Sequence, residues 1–105
     1  MIAQIPQLKR QARLFKALAH PGRLRIVQEL SQGERCVCDL AKLLGVQMPT
    51  VSRHLALLRE AGIVDDEKRG TQVFYRLRTP CVLKIFDCLT ELERASDRKE
   101  RSRAA

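Results

Sequence analysis

The chain has 105 residues, room for one small domain and not for two. It sets 20 Lys and Arg against 12 Asp and Glu, a net charge of +8; Arg94–Ala105 carries +3 of this, so the body stays basic at +5. Such a body suits a polyanionic partner, above all nucleic acid. No run approaches the ~20 apolar residues of a membrane span, and Met1 to Leu8 lacks a secretory apolar core. The expected setting is therefore the reducing cytoplasm, away from membranes. There, four cysteines read as thiols or metal ligands and not as a disulfide framework.

Ile5, Leu8, Ala12, Phe15 and Ala19 recur at steps of three and four, which predicts a first helix from about Ile5 to Ala19 with one apolar stripe. His20-Pro21-Gly22 ends it, because proline lacks the amide donor yet fits the first turn of the next helix. The second helix turns Leu24, Val27 and Leu30 inward and stops at Ser31-Gln32-Gly33. A short helix, Cys38 to Leu44, follows, with Asp39 near its positive end. Gly45-Val46 turns the chain into another helix that starts near Pro49, carries Val51, Leu55 and Leu58 on one face, and ends at Ala61-Gly62. Short helix, glycine turn and a second helix with a polar start form a helix-turn-helix pattern. Val64, then Val73, Tyr75 and Leu77, alternate around a polar stretch, predicting a two-stranded hairpin with Gly70-Thr71 as its turn and Lys68-Arg69 at its tip. Thr79-Pro80 opens a last helix with Cys81, Ile85, Cys88 and Leu92 on one stripe. From Ser96 onward charge dominates without apolar period, so a domain over residues 1–95 and a disordered tail over 96–105 are expected. The fold class is mainly α with a small β-hairpin, in the order α-α-α-α-β-β-α.

A recognition helix sets its first turns against base edges in the major groove. The polar side chains available there are Gln47, Thr50, Ser52, Arg53 and His54. Gln pairs bidentately with adenine and Arg with guanine, while hydroxyls reach bases or phosphates. Lys68 and Arg69 are placed to grip backbone phosphate or the minor groove. Cys36 and Cys38 begin the helix-turn-helix beside Arg35, where the helix dipole and a neighbouring cation favour the thiolate that binds soft ions. Residues two apart on a regular helix project ~200° apart, so chelation by both is expected to unwind or displace that first turn. Cys81 and Cys88 stand ~10.5 Å apart along a helix; they pack, or they face partner cysteines across a dimer. No Ser/His/Asp set, glycine-rich phosphate loop or usefully paired carboxylates point to an enzyme.

Three stretches carry a family resemblance: Leu18-Ala19-His20-Pro21-Gly22-Arg23-Leu24-Arg25-Ile26, Cys36-Val37-Cys38-Asp39-Leu40, and the run from Pro49 to Val64. Together with the element order they resemble the ArsR/SmtB family of metal(loid)-responsive repressors, and the Cys-Val-Cys-Asp-Leu motif resembles its arsenic-sensing branch. The resemblance implies a winged helix-turn-helix homodimer, joined through its first and last helices. It implies binding to double-stranded operator DNA, an inverted repeat, and release when trivalent arsenic or antimony binds cysteine thiolates as inducer. The family's third cysteine is replaced by Ala41. The site is then two-coordinate, borrows a small thiol, recruits Cys81 or Cys88, or takes an organoarsenical. The carboxylate and histidine zinc set on the last helix of other members is missing, since the only histidines are His20 and His54. The alternatives within this fold are a redox- or persulfide-responsive repressor and one responding to another soft metal.

Overall fold

In the computed structural model, residues 4–104 are described, with side chains to residue 101. Met1–Ala3 and Ala105, at the ends of the expected domain and tail, lie outside them. The elements run α1 (Ile5–Leu18), α2 (Pro21–Leu30), β1 (Arg35–Cys36), α3 (Val37–Leu44), α4 (Met48–Glu60), β2 (Val64–Arg69), β3 (Gln72–Leu77), a short 3₁₀ turn (Pro80–Val82) and α5 (Leu83–Ala104). This is the winged helix-turn-helix predicted above, with one added strand.

Local chemistry explains most boundaries. His20, in extended backbone, caps α2 by accepting the Gly22 amide on Nδ1 at 2.9 Å, and Pro21 occupies the first helical turn. Gly45 ends α3 at φ 67°, with its own amide and that of Val46 reaching back to carbonyls of the last turn. Gly70, at φ 63°, takes the first place of the two-residue turn between β2 and β3. Val51, Leu55 and Leu58 of α4 are fully buried, together with Ile26 and Val27 of α2 and Leu40 of α3. Leu18, Leu30, Ala41, Ile63 and Val64 complete this core. It braces the helix-turn-helix from behind and leaves the opposite face of α4 open.

The hairpin is part of a three-stranded antiparallel sheet in the order β1-β3-β2. Arg35 pairs with Tyr75 and Cys36 with Phe74. Two residues are too short to show a period, which is why this strand is silent in the sequence.

The two end helices stand apart from this core. The α1 stripe does not enter the protomer core: Ile5, Leu8 and Phe15 are exposed and only Leu18 is buried. Along α5, the side chains from Asp87 to Arg101 are exposed. The helix nevertheless continues to Ala104, through the point where a tail was expected at Ser96. Its last turns are rich in Arg, with Lys, Glu and Ala among Ser and Asp and without Gly or Pro, and Asp97 and Arg101 fall one turn apart. Helical propensity thus carries the backbone past the apolar period. The projecting α5 lifts the radius of gyration to 16.8 Å, against ~13 Å for a compact domain of this length. No helix among the described residues is long and apolar enough to cross a membrane.

Candidate nucleic-acid interface and thiol site

Met48 and Pro49 open α4, and Gln47 stands at its N-cap with no side-chain bond to the helix. Gln47, Ser52 and Arg53 are exposed and Thr50 half-buried, so four of the five predicted base-reading side chains lie on the open side of the helix or its entry. His54 is different. Its ring lies half-buried, 4.5 Å centroid to centroid from His20, and its Nδ1 sits 3.3 Å from a guanidinium nitrogen of Arg23. Arg23 also donates to the Ala17 carbonyl at 2.6 Å. A guanidinium has no lone pair to offer, so His54 Nδ1 accepts and the ring is held neutral. Burial first, then the charges of His20, Arg23 and Arg53, push its pKa below the ordinary 6.5. His54 therefore locks α4 to the α1–α2 corner, and its capacity to meet DNA is limited by that engagement.

The two wing cations also differ. Arg69 lies 2.9 Å from carboxylate oxygens of both Glu34 and Glu67, and its guanidinium covers the Phe74 ring at 4.8 Å. Lys68 is exposed and makes no ion pair among the described residues. Sequence alone treats the two as equals; the structure gives Lys68 the uncompensated charge.

The thiols converge. Cys36 is the N-cap of α3, in extended backbone at φ −82°, ψ 162°, and its Sγ accepts the Asp39 amide at 3.4 Å. Cys38 is the second residue of the helix. Their Sγ atoms face one another at 2.6 Å. The expected ~200° divergence applies to two residues inside a helix, and Cys36 is outside it. The turn therefore need not unwind for both sulfurs to meet one ion. A carboxylate oxygen of Asp39 lies within 4.8 Å of both, forming a cluster of three potential ligands. Asp39 thus does more than face the helix dipole, and its place beside Cys38 in the chain is the signal for it. Cys81 and Cys88 are exposed on the α5 side and join no such cluster among the described residues. Ala41, where the family's third thiol is expected, points into the core.

The acidity of Cys36 also departs from expectation. Burial pushes its thiol up, and the contact with Cys38 and the Asp39 carboxylate add to this, while the Asp39 amide pulls the other way. At this nearly buried sulfur, desolvation outweighs the helix dipole. The donor set suits a soft ion, and binding has to displace the thiol proton.

The thiol pair opens on a cavity of about 220 Å³ lined by Met48 and Ser52 from α4 and by Thr71, Gln72 and Val73 from the wing. Cys36 is also hydrogen-bonded through β1 to wing strand β3. The thiol pair thus borders a cavity shared with the two elements that a winged helix presents to DNA.

Residues 20–66 match the family model described as bacterial regulatory protein, arsR family. The chain is similar to the arsenical resistance operon repressor of Escherichia coli K12, 57% identical over 61% of this chain and 56% of that protein. It is also similar to the biofilm growth-associated repressor of Xylella fastidiosa Temecula1, 46% identical over 74% of this chain and 68% of that protein. The match thus spans little more than half the length of the first relative and about two thirds of the second. Among solved structures, the homodimeric winged helix-turn-helix DNA-binding domain of Mb0332 from Mycobacterium bovis superposes with a TM-score of 0.76 at 33% identity, covering 86% of this chain and 83% of that one. Fold and family are those of DNA-binding regulators and not of an enzyme. With the helix-turn-helix, the wing and these likenesses in hand, the chain belongs to the ArsR/SmtB family of transcriptional repressors.

Proposed function

We propose that this chain acts in the cytoplasm as a homodimeric repressor that leaves an inverted-repeat operator when trivalent arsenic or antimony binds Cys36 and Cys38. The observation that carries this reading is the convergence of both sulfurs in a cavity shared by α4 and the wing. An ion held there occupies space between the two reading elements and pulls on β1, which is bonded to the wing. Gln47, Thr50, Ser52 and Arg53 read the major groove in this scheme, and Lys68 holds phosphate.

Dimerisation is supported by the apolar faces left open on the first and last helices. Ile5, Leu8 and Phe15 of α1 and Leu89 and Leu92 of α5 are exposed. A cleft of about 650 Å³ runs between the two elements past Leu14, Phe15 and Ile85. Burying these side chains against a second copy removes apolar area from water that a chain this short cannot cover alone. The similar Mycobacterium bovis domain is described as homodimeric.

The test is a panel of single Cys→Ser variants assayed for arsenite-driven release of operator DNA. Loss of response at Cys36 and Cys38 with retention at Cys81 and Cys88 supports the reading; loss at Cys81 or Cys88 as well replaces it with a site that bridges helices or subunits. The close sulfur pair also favours a second reading, in which oxidation or a persulfide links the thiols and releases DNA. Titrating the same complex with a persulfide in parallel separates the two.

A further inference from the structure

We propose that Met48 supplies a third sulfur to the Cys36–Cys38 pair and makes this cavity a three-sulfur site for monovalent copper. The inference rests on the reading that Cys36 and Cys38 hold a soft ion. It adds a ligand residue from the recognition helix and a second class of inducer.

Three observations meet at Met48. It lines the same 220 Å³ cavity as Cys36 and Cys38. It is half exposed, at 50%, so its flexible thioether is not consumed by the core and is free to swing toward the thiols. Ala41 denies the pair a third thiolate, because that position is packed in the core. The donors lining the cavity are therefore two thiols and one thioether, with the exposed Asp39 carboxylate beside the thiols. Thiolate and thioether together select monovalent copper, while carboxylate suits hard cations. Trivalent arsenic bonds to thiolates and gains little from a thioether, so Met48 separates the two inducers.

The charge balance fits as well. Copper(I) displaces one proton from each thiol, and the neutral thioether adds no charge. The centre carries a net charge of −1, and no electron is transferred. Cys36 caps α3, and Met48 is the first residue of α4. The positive ends of two helix dipoles thus border the anionic centre. Ligation through Met48 ties the start of the recognition helix to the thiol pair, where Ser52 also lines the cavity.

The experiment uses the full chain, loaded anaerobically with copper(I) alone. Sulfur ligands are counted by X-ray absorption, and affinity is measured by competition with a chromophoric copper(I) chelator. Leu is a good helix former of similar volume, so Met48→Leu preserves α4. Wild type is expected to show three sulfurs per copper. Met48→Leu is expected to show two, with affinity lower by at least the roughly tenfold that even outer-shell changes cost a metal site. Equal sulfur count and equal affinity in the two proteins overturn the role of Met48 and leave the thiol site standing. Unchanged copper affinity in a Cys36→Ser, Cys38→Ser double variant overturns the inference and the thiol site together.

Discussion

Lys68→Ala and Arg69→Ala remove the same formal charge from neighbouring positions of one hairpin, and their effects on DNA binding should differ. Arg69 already faces Glu34 and Glu67, each at 2.9 Å, and stacks on Phe74. Lys68 has no such partner among the described residues. Each phosphate neutralised by a protein cation contributes a slope of about −0.9 to log Kobs against log salt. A dimer carries two copies of Lys68, so its removal should make the slope shallower by about 1.8. Between 50 and 200 mM salt this amounts to roughly a 12-fold difference in how steeply wild type and variant lose affinity. Arg69→Ala should change the slope by less than half as much, because two carboxylates already offset its charge. It should instead lower affinity at every salt concentration, since the link from Glu34 to the wing is lost. Fluorescence anisotropy of one operator duplex over a salt series reads both effects. Equal slope changes for the two variants, or none for Lys68→Ala, refute the assignment of the wing charge to Lys68.

Leu55→Ala empties a fully buried position behind the recognition helix; an unfolding loss of about 2–5 kcal/mol is expected, measured by denaturant midpoint. Gly45→Ala meets no neighbouring atom within 4 Å but keeps φ at 67°, so its cost is backbone strain alone, about 1 kcal/mol, read the same way. Because the folded pKa of His54 lies below 6.5, the fold favours the neutral ring; this contribution is complete above pH 6.5 and is lost as pH falls through the lower folded value. Thermal stability measured between pH 7.5 and 5 should therefore decline on the acid side, and His54→Gln should flatten that decline. Arg53→Ala should weaken operator binding at moderate salt, and an unchanged affinity there speaks against α4 as the reader.

Much of this was legible in the residues because it rests on period and punctuation. The Val51, Leu55, Leu58 spacing fixed the buried face of α4, and Gly45 marked the turn before it. Alternation at Val73, Tyr75 and Leu77 marked the wing. What escaped has no local pattern. The two-residue β1 exists because β3 offers it an edge, and that pairing also pulls Cys36 out of the helix. The convergence of the thiols follows from this non-local contact, so periodicity pointed to divergence instead. The inward turn of His54 depends on His20 and Arg23, more than 30 positions away. The compensation of Arg69 by Glu34 is equally distant in sequence. In α5 the failure was of the opposite kind: local propensity extends a helix whose apolar stripe has already ended.

The central claim is that an ion on Cys36 and Cys38 is coupled to DNA through α4 and the wing. It is tested most directly by measuring operator affinity for the free and arsenite-loaded protein on one duplex at one salt concentration. The account predicts a fall of at least about tenfold, a coupling of about 1.4 kcal/mol, with operator DNA weakening arsenite binding by the same factor. Equal operator affinity with arsenite bound at Cys36 and Cys38 contradicts it.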